Sequence, residues 1–255
     1  MRLHYVTDDG AGARARFGLI VLQVDETIEG EFPRLVGSDG IVVHFSRVAS
    51  GKEVTGATLA AMEGEIPSAA ALLPPGAPFA AIGYACTSGA TVIGPENVAR
   101  AVRMARPGDG PEAFTTTPVT DPLTAVKTAC RALGVRRLGF VTPYVPEVST
   151  AMRASLEDDG LEIVASGSFE QAEEHVVARI TPDSILEAVF EVADSSPCDG
   201  IFISCTNART LDIIERAEQR LGLPVLSSTQ ALAWHMLRLA GLDEPRPGCG
   251  RLLAV

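Results

Sequence analysis

The sequence predicts an α/β protein built as two similar lobes, each around a mostly parallel sheet. Three observations carry that expectation. Strand-like and helix-like patterns alternate along most of the 255 residues, the arrangement that builds parallel sheets with helical crossovers. The strand-like runs are short, apolar almost throughout, and bounded by Gly or polar residues, as in strands buried on both faces. One local pattern also occurs twice. An apolar run, a cysteine, a threonine and then a helix follow one another at "YACTSG" (84–89) and again at "ISCTN" (203–207). The two cysteines, Cys86 and Cys205, stand 119 residues apart, close to half the chain.

In order, "RFGLIVLQV" (16–24) and "GIVVHFSRV" (40–48) read as buried strands. The Ala-, Leu-, Met- and Glu-rich stretch 55–73 reads as a helix, 79–85 as a strand, and 94–105 as a helix with Pro95 in its first turn. The Gly/Pro/Thr-rich stretch 106–119 reads as the crossover between lobes. Residues 121–134 predict a helix with Asp121 as N-cap, Pro122 at its first position and Gly134 after its end. Strands are expected at 136–142, 161–169, 200–204 and 224–228. Helices are expected at 146–160, 181–194, 208–222 and 229–241. The expected division places 1–115 with 223–255 in the lobe carrying Cys86, and 116–222 in the lobe carrying Cys205.

Composition narrows the function classes. The net charge is −11 and no Lys/Arg-rich block stands against it, so neither nucleic acid nor a membrane is an expected partner. "MRLHYVTDDG" lacks the apolar region of a signal peptide, and no apolar run approaches a membrane span; a cytoplasmic location is expected. Five cysteines without a CxxC pattern, and four scattered histidines, point to neither a disulfide framework nor a metal site. No phosphate-binding glycine pattern and no G-x-S-x-G is present. The expectation is therefore a cofactor-independent chemistry with no metal. Assembly as a homodimer or larger homo-oligomer is left open.

A thiol at a strand end, just before a helix, meets the helix dipole and unused backbone N–H groups, which favour thiolate and bind carboxylates. Cys86 and Cys205 both fit that position, with Thr87, Ser88, Thr206 and Asn207 as neighbouring donors. On two facing lobes they put two thiols on opposite sides of one substrate. That arrangement suits proton removal on one face and return on the other, or thiolate addition and expulsion. Cys130, Cys198 and Cys249 lack that setting.

The twin elements "ACTSGA" and "SCTNAR", with "FVTPY" at 140–144, resemble the Asp/Glu racemase superfamily, in the branch of maleate cis–trans isomerase and arylmalonate decarboxylase. The resemblance covers nearly the whole chain. It implies two pseudo-symmetric Rossmann-like lobes with the active site in the cleft between them, and a small carboxylate substrate as the partner. It implies Cys86 as nucleophile, Cys205 as the proton-handling thiol, and Tyr144 as a hydrogen-bond partner of a substrate carboxylate. The decarboxylases are similar but keep only the second cysteine, so the pair favours an isomerase or racemase. A decarboxylase with Cys205 as proton donor is the alternative enzyme, and a non-catalytic two-lobed ligand-binding module the alternative class.

The chain departs from the isomerase pattern at two places. "VLQVDETIE" puts Asp25 where those relatives have an Asn-containing turn, and "AEEHVVARI" puts Glu174 near a second substrate-binding Asn. Carboxylates there would repel a dianion and suit a substrate with a cationic nitrogen. The D-E-T-I-E stretch is also similar to relatives associated with ectoine utilisation. The alternatives are a solvated helix start for Asp25 and a loop residue packed between prolines for Tyr144. Arg47 is either a carboxylate clamp beside His44 or a surface residue, and His235 reads as structural.

Overall fold

The structure, a computed structural model, describes residues 1–8, 10–108, 110 and 113–255. Its first half runs β1 (Ala15–Leu22), α1 (Ile28–Val36), β2 (Ile41–Val48), α2 (Gly56–Ala61), α3 (Ile66–Ala71), β3 (Ala81–Ala85), α4 (Thr87–Ile93), α5 (Pro95–Met104) and β4 (Val119–Thr120). Its second runs α6 (Pro122–Leu133), β5 (Arg137–Thr142), α7 (Pro146–Glu157), β6 (Glu162–Ser168), α8 (Glu174–Val177), α9 (Pro182–Ser195), β7 (Gly200–Ile203), α10 (Leu211–Leu221), β8 (Val225–Ser227) and α11 (Ser228–Leu239).

Two four-stranded sheets form, in the orders β2-β1-β3-β4 and β6-β5-β7-β8, and every strand pair is parallel. Each half thus repeats one topology: second strand, first, third, fourth. The inner strands β1, β3, β5 and β7 are almost wholly buried, while β2 and β6 at the edges are partly exposed. In such a sheet the chain leaves the first and third strands in opposite directions, and the crevice outside their carboxyl ends is the natural ligand site.

The helices following the two fourth strands, α6 and α11, pack on each other. α11 also lies against α1 and β3 of the first half. Its close approach to β3 depends on Gly83, where a Cβ would come within 2.7 Å of Met236 Sδ and 2.8 Å of Leu19 Cδ1. No helix among the described residues is long and apolar enough to cross a membrane.

Several expectations shift. The first sheet ends with Val119–Thr120, paired with β3, and the second with Val225–Ser227, paired with β7. β4 is two residues long and starts at the last residue of the Gly/Pro/Thr-rich stretch, too short to register as a pattern. Residues 109, 111 and 112 of that stretch lie outside the described residues. The helix expected over 55–73 is broken into α2, a 3-10 turn (Met62–Gly64) and α3. Pro67 near the start of α3 has no N–H to continue the ladder. Gly94, at φ +89°, separates α4 from α5. The helices α1 and α8 were not among the expected elements. Asp121 caps α6 as expected, its Oδ1 accepting from Leu123 N at 2.8 Å and Thr124 N at 3.0 Å.

Candidate active site

The pseudo-symmetry places matching residues at matching strand ends. Asp25 follows β1 and Tyr144 follows β5; Cys86 follows β3 and Cys205 follows β7. All four therefore stand outside the carboxyl ends of the first and third strands of their sheets.

Cys86 is the N-cap of α4, in extended conformation (φ −145°, ψ 112°). Its Sγ accepts from Gly89 N at 3.1 Å and lies 3.5 Å from Ser88 Oγ. Gly89 is required for this approach, because a Cβ there would sit 2.9 Å from the sulfur and 2.6 Å from the Tyr84 hydroxyl.

Cys205 is placed differently. It is followed by a turn, and α10 begins only at Leu211. Its backbone has φ +97°, a region that favours glycine. Its N–H donates to Ser228 Oγ at 3.0 Å, and its Sγ accepts from Asn207 N at 3.4 Å. The expected helix start at 208 is thus a correction: the head of α10 is capped not by the cysteine loop but by Glu31 of α1. Glu31 accepts from Thr210 N at 2.8 Å and Leu211 N at 3.0 Å.

Neither thiol has the depressed pKa expected from a helix N-terminus. Both cysteines are only 3% exposed. Burial pushes the Cys86 thiol up to about 12, against the lowering effect of Ser88 and the Gly89 N–H. Burial drives Cys205 well up too, and the charge of Glu174 adds to it. The physical reason is that lost hydration of a thiolate outweighs one or two N–H groups.

The two Cys-Thr elements meet across the lobes. Thr206 Oγ1 lies 3.1 Å from the carbonyl of Ala85, the residue before Cys86. Thr87 Oγ1 donates to Ser228 Oγ at 2.8 Å, the oxygen that also receives the Cys205 N–H. Ser88 is fully buried beside Cys86.

Asp25 is buried, not solvated, at 4% exposure. Its Oδ1 accepts from Thr27 N and Ile28 N, both at 2.9 Å, and so ties down the start of α1. Its Oδ2 lies 2.9 Å from Thr206 Oγ1. Burial pushes the Asp25 carboxyl up, against the hydrogen bonds it accepts from Ile28, Thr27 and Thr206.

Glu174 opens α8, 3% exposed. Its Oε2 accepts from Asn207 Nδ2 at 2.9 Å. Asn207 ties the lobes further, its Oδ1 accepting from Glu26 N at 2.9 Å and its carbonyl from Thr27 Oγ1 at 2.9 Å. Burial, with the neighbouring Asp25, pushes Glu174 up to about 7 against the Asn207 hydrogen bond. Among the described residues neither Asp25 nor Glu174 forms an ion pair with a basic side chain. Arg47 lies close by, but it is spent on the Leu22, Gln23 and Asp25 carbonyls, each at 3.0 Å, and on Glu29. Tyr144 is buried in the bend between β5 and α7, and its hydroxyl is pushed well up by burial and by the charge of Cys205 and Glu174. His235 packs structurally, its ring nitrogen 2.8 Å from Thr120 Oγ1.

Ser228 and Glu31 escaped sequence reasoning. Ser228 had a signal: "LSSTQ" at 226–230 is a third strand end followed by hydroxyl residues and a helix. Glu31 had none, since its partners lie about 180 residues away.

Comparison with known proteins gives one family and several structural neighbours. Residues 110–253 match the family model described as arylmalonate decarboxylase. The chain is 31% identical over 246 residues to the maleate isomerase of Nocardia farcinica, covering 93% of this chain and 95% of that protein. It is 37% identical over 137 residues to the arylmalonate decarboxylase of Bordetella bronchiseptica, a match spanning 53% of this chain and 57% of that one. Among solved structures, the Nocardia farcinica isomerase, as a cysteine-to-serine mutant with a covalently bound succinylcysteine intermediate, superposes with a TM-score of 0.79. It is 29% identical, over 94% of this chain and 98% of that one.

Proposed function

Since the chain belongs to the arylmalonate decarboxylase family, we propose that it is a cofactor-independent isomerase or racemase of a small carboxylic acid, working through Cys86 and Cys205. The observation that carries this reading is the meeting of the two Cys-Thr elements: Thr206 touches the residue before Cys86, and Ser228 joins Thr87 to Cys205. The succinylcysteine intermediate of the Nocardia relative supports a sulfur nucleophile.

Two routes fit two thiols. In the addition route the Cys86 thiolate bonds to one carbon of a C=C group. The π electrons move to the other carbon, which takes the Cys205 proton; the single bond rotates, Cys205 takes the proton back, and the S–C bond breaks. In the proton route one thiolate takes the α-proton and the opposite thiol returns a proton. Each needs one thiolate, which burial disfavours. A substrate bearing a positive nitrogen lowers that cost by pairing with the developing charge. The same substrate suits Asp25 and Glu174, two buried carboxyls without ion-pair partners among the described residues. An amino-acid-type substrate is therefore preferred over a dianion such as maleate. Tyr144, Thr87, Ser88, Thr206 and Asn207 supply donors for its carboxylate.

A second reading has one observation in its favour. The matched family model covers Cys205 but not Cys86. In a decarboxylase, CO2 leaves the substrate and the Cys205 thiol protonates the resulting carbanion. Proton NMR in D2O with amino acids, unsaturated diacids and malonates separates the two. Geometric or configurational change and α-deuteration with an intact skeleton support the isomerase. Loss of CO2 from malonates alone replaces it with the decarboxylase.

A further inference from the structure

We propose that the first turn of α11 sets the two cysteine loops against each other, with Ser228 as the positioning residue that holds Cys205. The proposal rests on the reading of Cys205 as a reacting group. Three consecutive side chains carry it. Ser227 Oγ caps the helix by accepting from Gln230 N at 3.2 Å. Ser228 Oγ accepts from Thr87 Oγ1 at 2.8 Å and from Cys205 N at 3.0 Å. Thr229 Oγ1 donates to the carbonyl of Thr206 at 3.4 Å. Ser228 and Thr229 are fully buried.

The location of this turn gives it leverage. β8 belongs to the second sheet, yet α11 packs on α1, α6 and β3. The chain passes from one lobe to the other between Ser227 and Ser228, at the point where both cysteine loops converge. A displacement of α11 moves both loops together, so their relative position is kept.

Cys205 needs such a support. At φ +97° a residue with a Cβ is strained, and the strain persists only where surrounding contacts over-determine it. The Ser228 hydroxyl is the acceptor of the Cys205 N–H, the group whose direction φ sets. Both Ser228 lone-pair contacts are thus taken, by Thr87 and by Cys205.

Iodoacetamide labelling followed by peptide mass spectrometry tests this on the full chain. In Ser228→Ala, Cys205 is expected to label about tenfold faster than in the parent, as expected for loss of one buried hydrogen bond. Cys130, buried on the α6 helix that packs along α11, should keep its parental rate. A parallel rise at both cysteines, or no change at Cys205, overturns the proposal. A second comparison stands even if Ser228→Ala does not fold. With Ser228 present, Cys205→Gly should melt higher than Cys205→Ala, because glycine alone adopts this φ without strain. Equal melting would show that no strain is held there. Neither readout uses a substrate, so failure of the isomerase reading leaves both tests intact.

Discussion

The two cysteine loops begin from the same short pattern and reach their positions by different means. Cys86 is held by its own neighbours: extended backbone, a following helix, and Gly89 three residues on, whose N–H meets the sulfur. Cys205 is held at its backbone by a residue distant in sequence, Ser228 accepting its N–H, and its φ is strained. The position three residues after Cys205 is Ala208, and no helix starts there. The lesson is that Cys-Thr after a buried strand specifies a thiol at a strand end, while the next few residues and the tertiary neighbours decide its backbone.

The largest expected effect breaks the pair itself. Cys86→Ala and Cys205→Ala should each lower kcat by roughly 10³-fold or more, since neither route runs with one thiol. If Cys86→Ala retains near-parental turnover while Cys205→Ala does not, Cys205 alone carries the chemistry and the decarboxylase reading leads.

The next concerns the charge that both loops share. Asp25→Asn keeps the Oδ1 contacts to Thr27 and Ile28 and removes the ionisable group. Its kcat/KM should rise toward dianionic diacids and fall toward amino-acid-type substrates, by about 10²-fold in the ratio, as a few kcal/mol of pocket charge implies. An unchanged ratio in steady-state assays would make Asp25 a helix cap and nothing more.

A third prediction tests the cap that displaced the second cysteine. Burial pushes Glu31 up to about 7, against the hydrogen bonds from Leu211 and Thr210. A carboxyl raised on folding binds more protons in the folded state between its unfolded and folded pKa values. Its stabilisation is complete below about 4.5 and is lost as pH rises through about 7. Urea titrations should show the parent less stable at pH 8 than at pH 5. Glu31→Gln should reduce that difference by up to about 3 kcal/mol. Glu174, also raised to about 7, contributes in the same direction, so a residual slope is expected.

The smallest effect lies at the rim of the lobe contact. Glu26 and Arg179 form a two-pronged ion pair at 2.8 and 3.1 Å, but both are exposed. Glu26→Gln should leave the melting temperature within error, because solvent screens such a pair. A clear loss of stability would mean that the surface bridge, and not the buried Asn207 and Ser228 contacts, holds the lobes together.

Most of the architecture was legible in the order of residues. Short apolar runs alternating with capped helices led to two parallel sheets, because burial on both faces leaves a continuous apolar signature. Asp121, Pro122 and Gly134 mark one helix at both ends by local backbone chemistry, which needs no tertiary information. The paired cysteines, Tyr144, Asp25 and Glu174 were likewise legible as residues at strand ends or by resemblance.

What tertiary structure alone decided is how these residues are held and charged. Thiol pKa values follow hydration, and hydration depends on the opposite lobe closing over the sulfur; no run of neighbours reveals it. The positive φ at Cys205 follows from Ser228, 23 residues later, and the cap of α10 from Glu31, about 180 residues earlier. Local periodicity encodes which elements form and which face is buried. The partners of a strained backbone or a buried carboxyl come from chain segments brought together only by folding, so their identity and their energies belong to the folded structure.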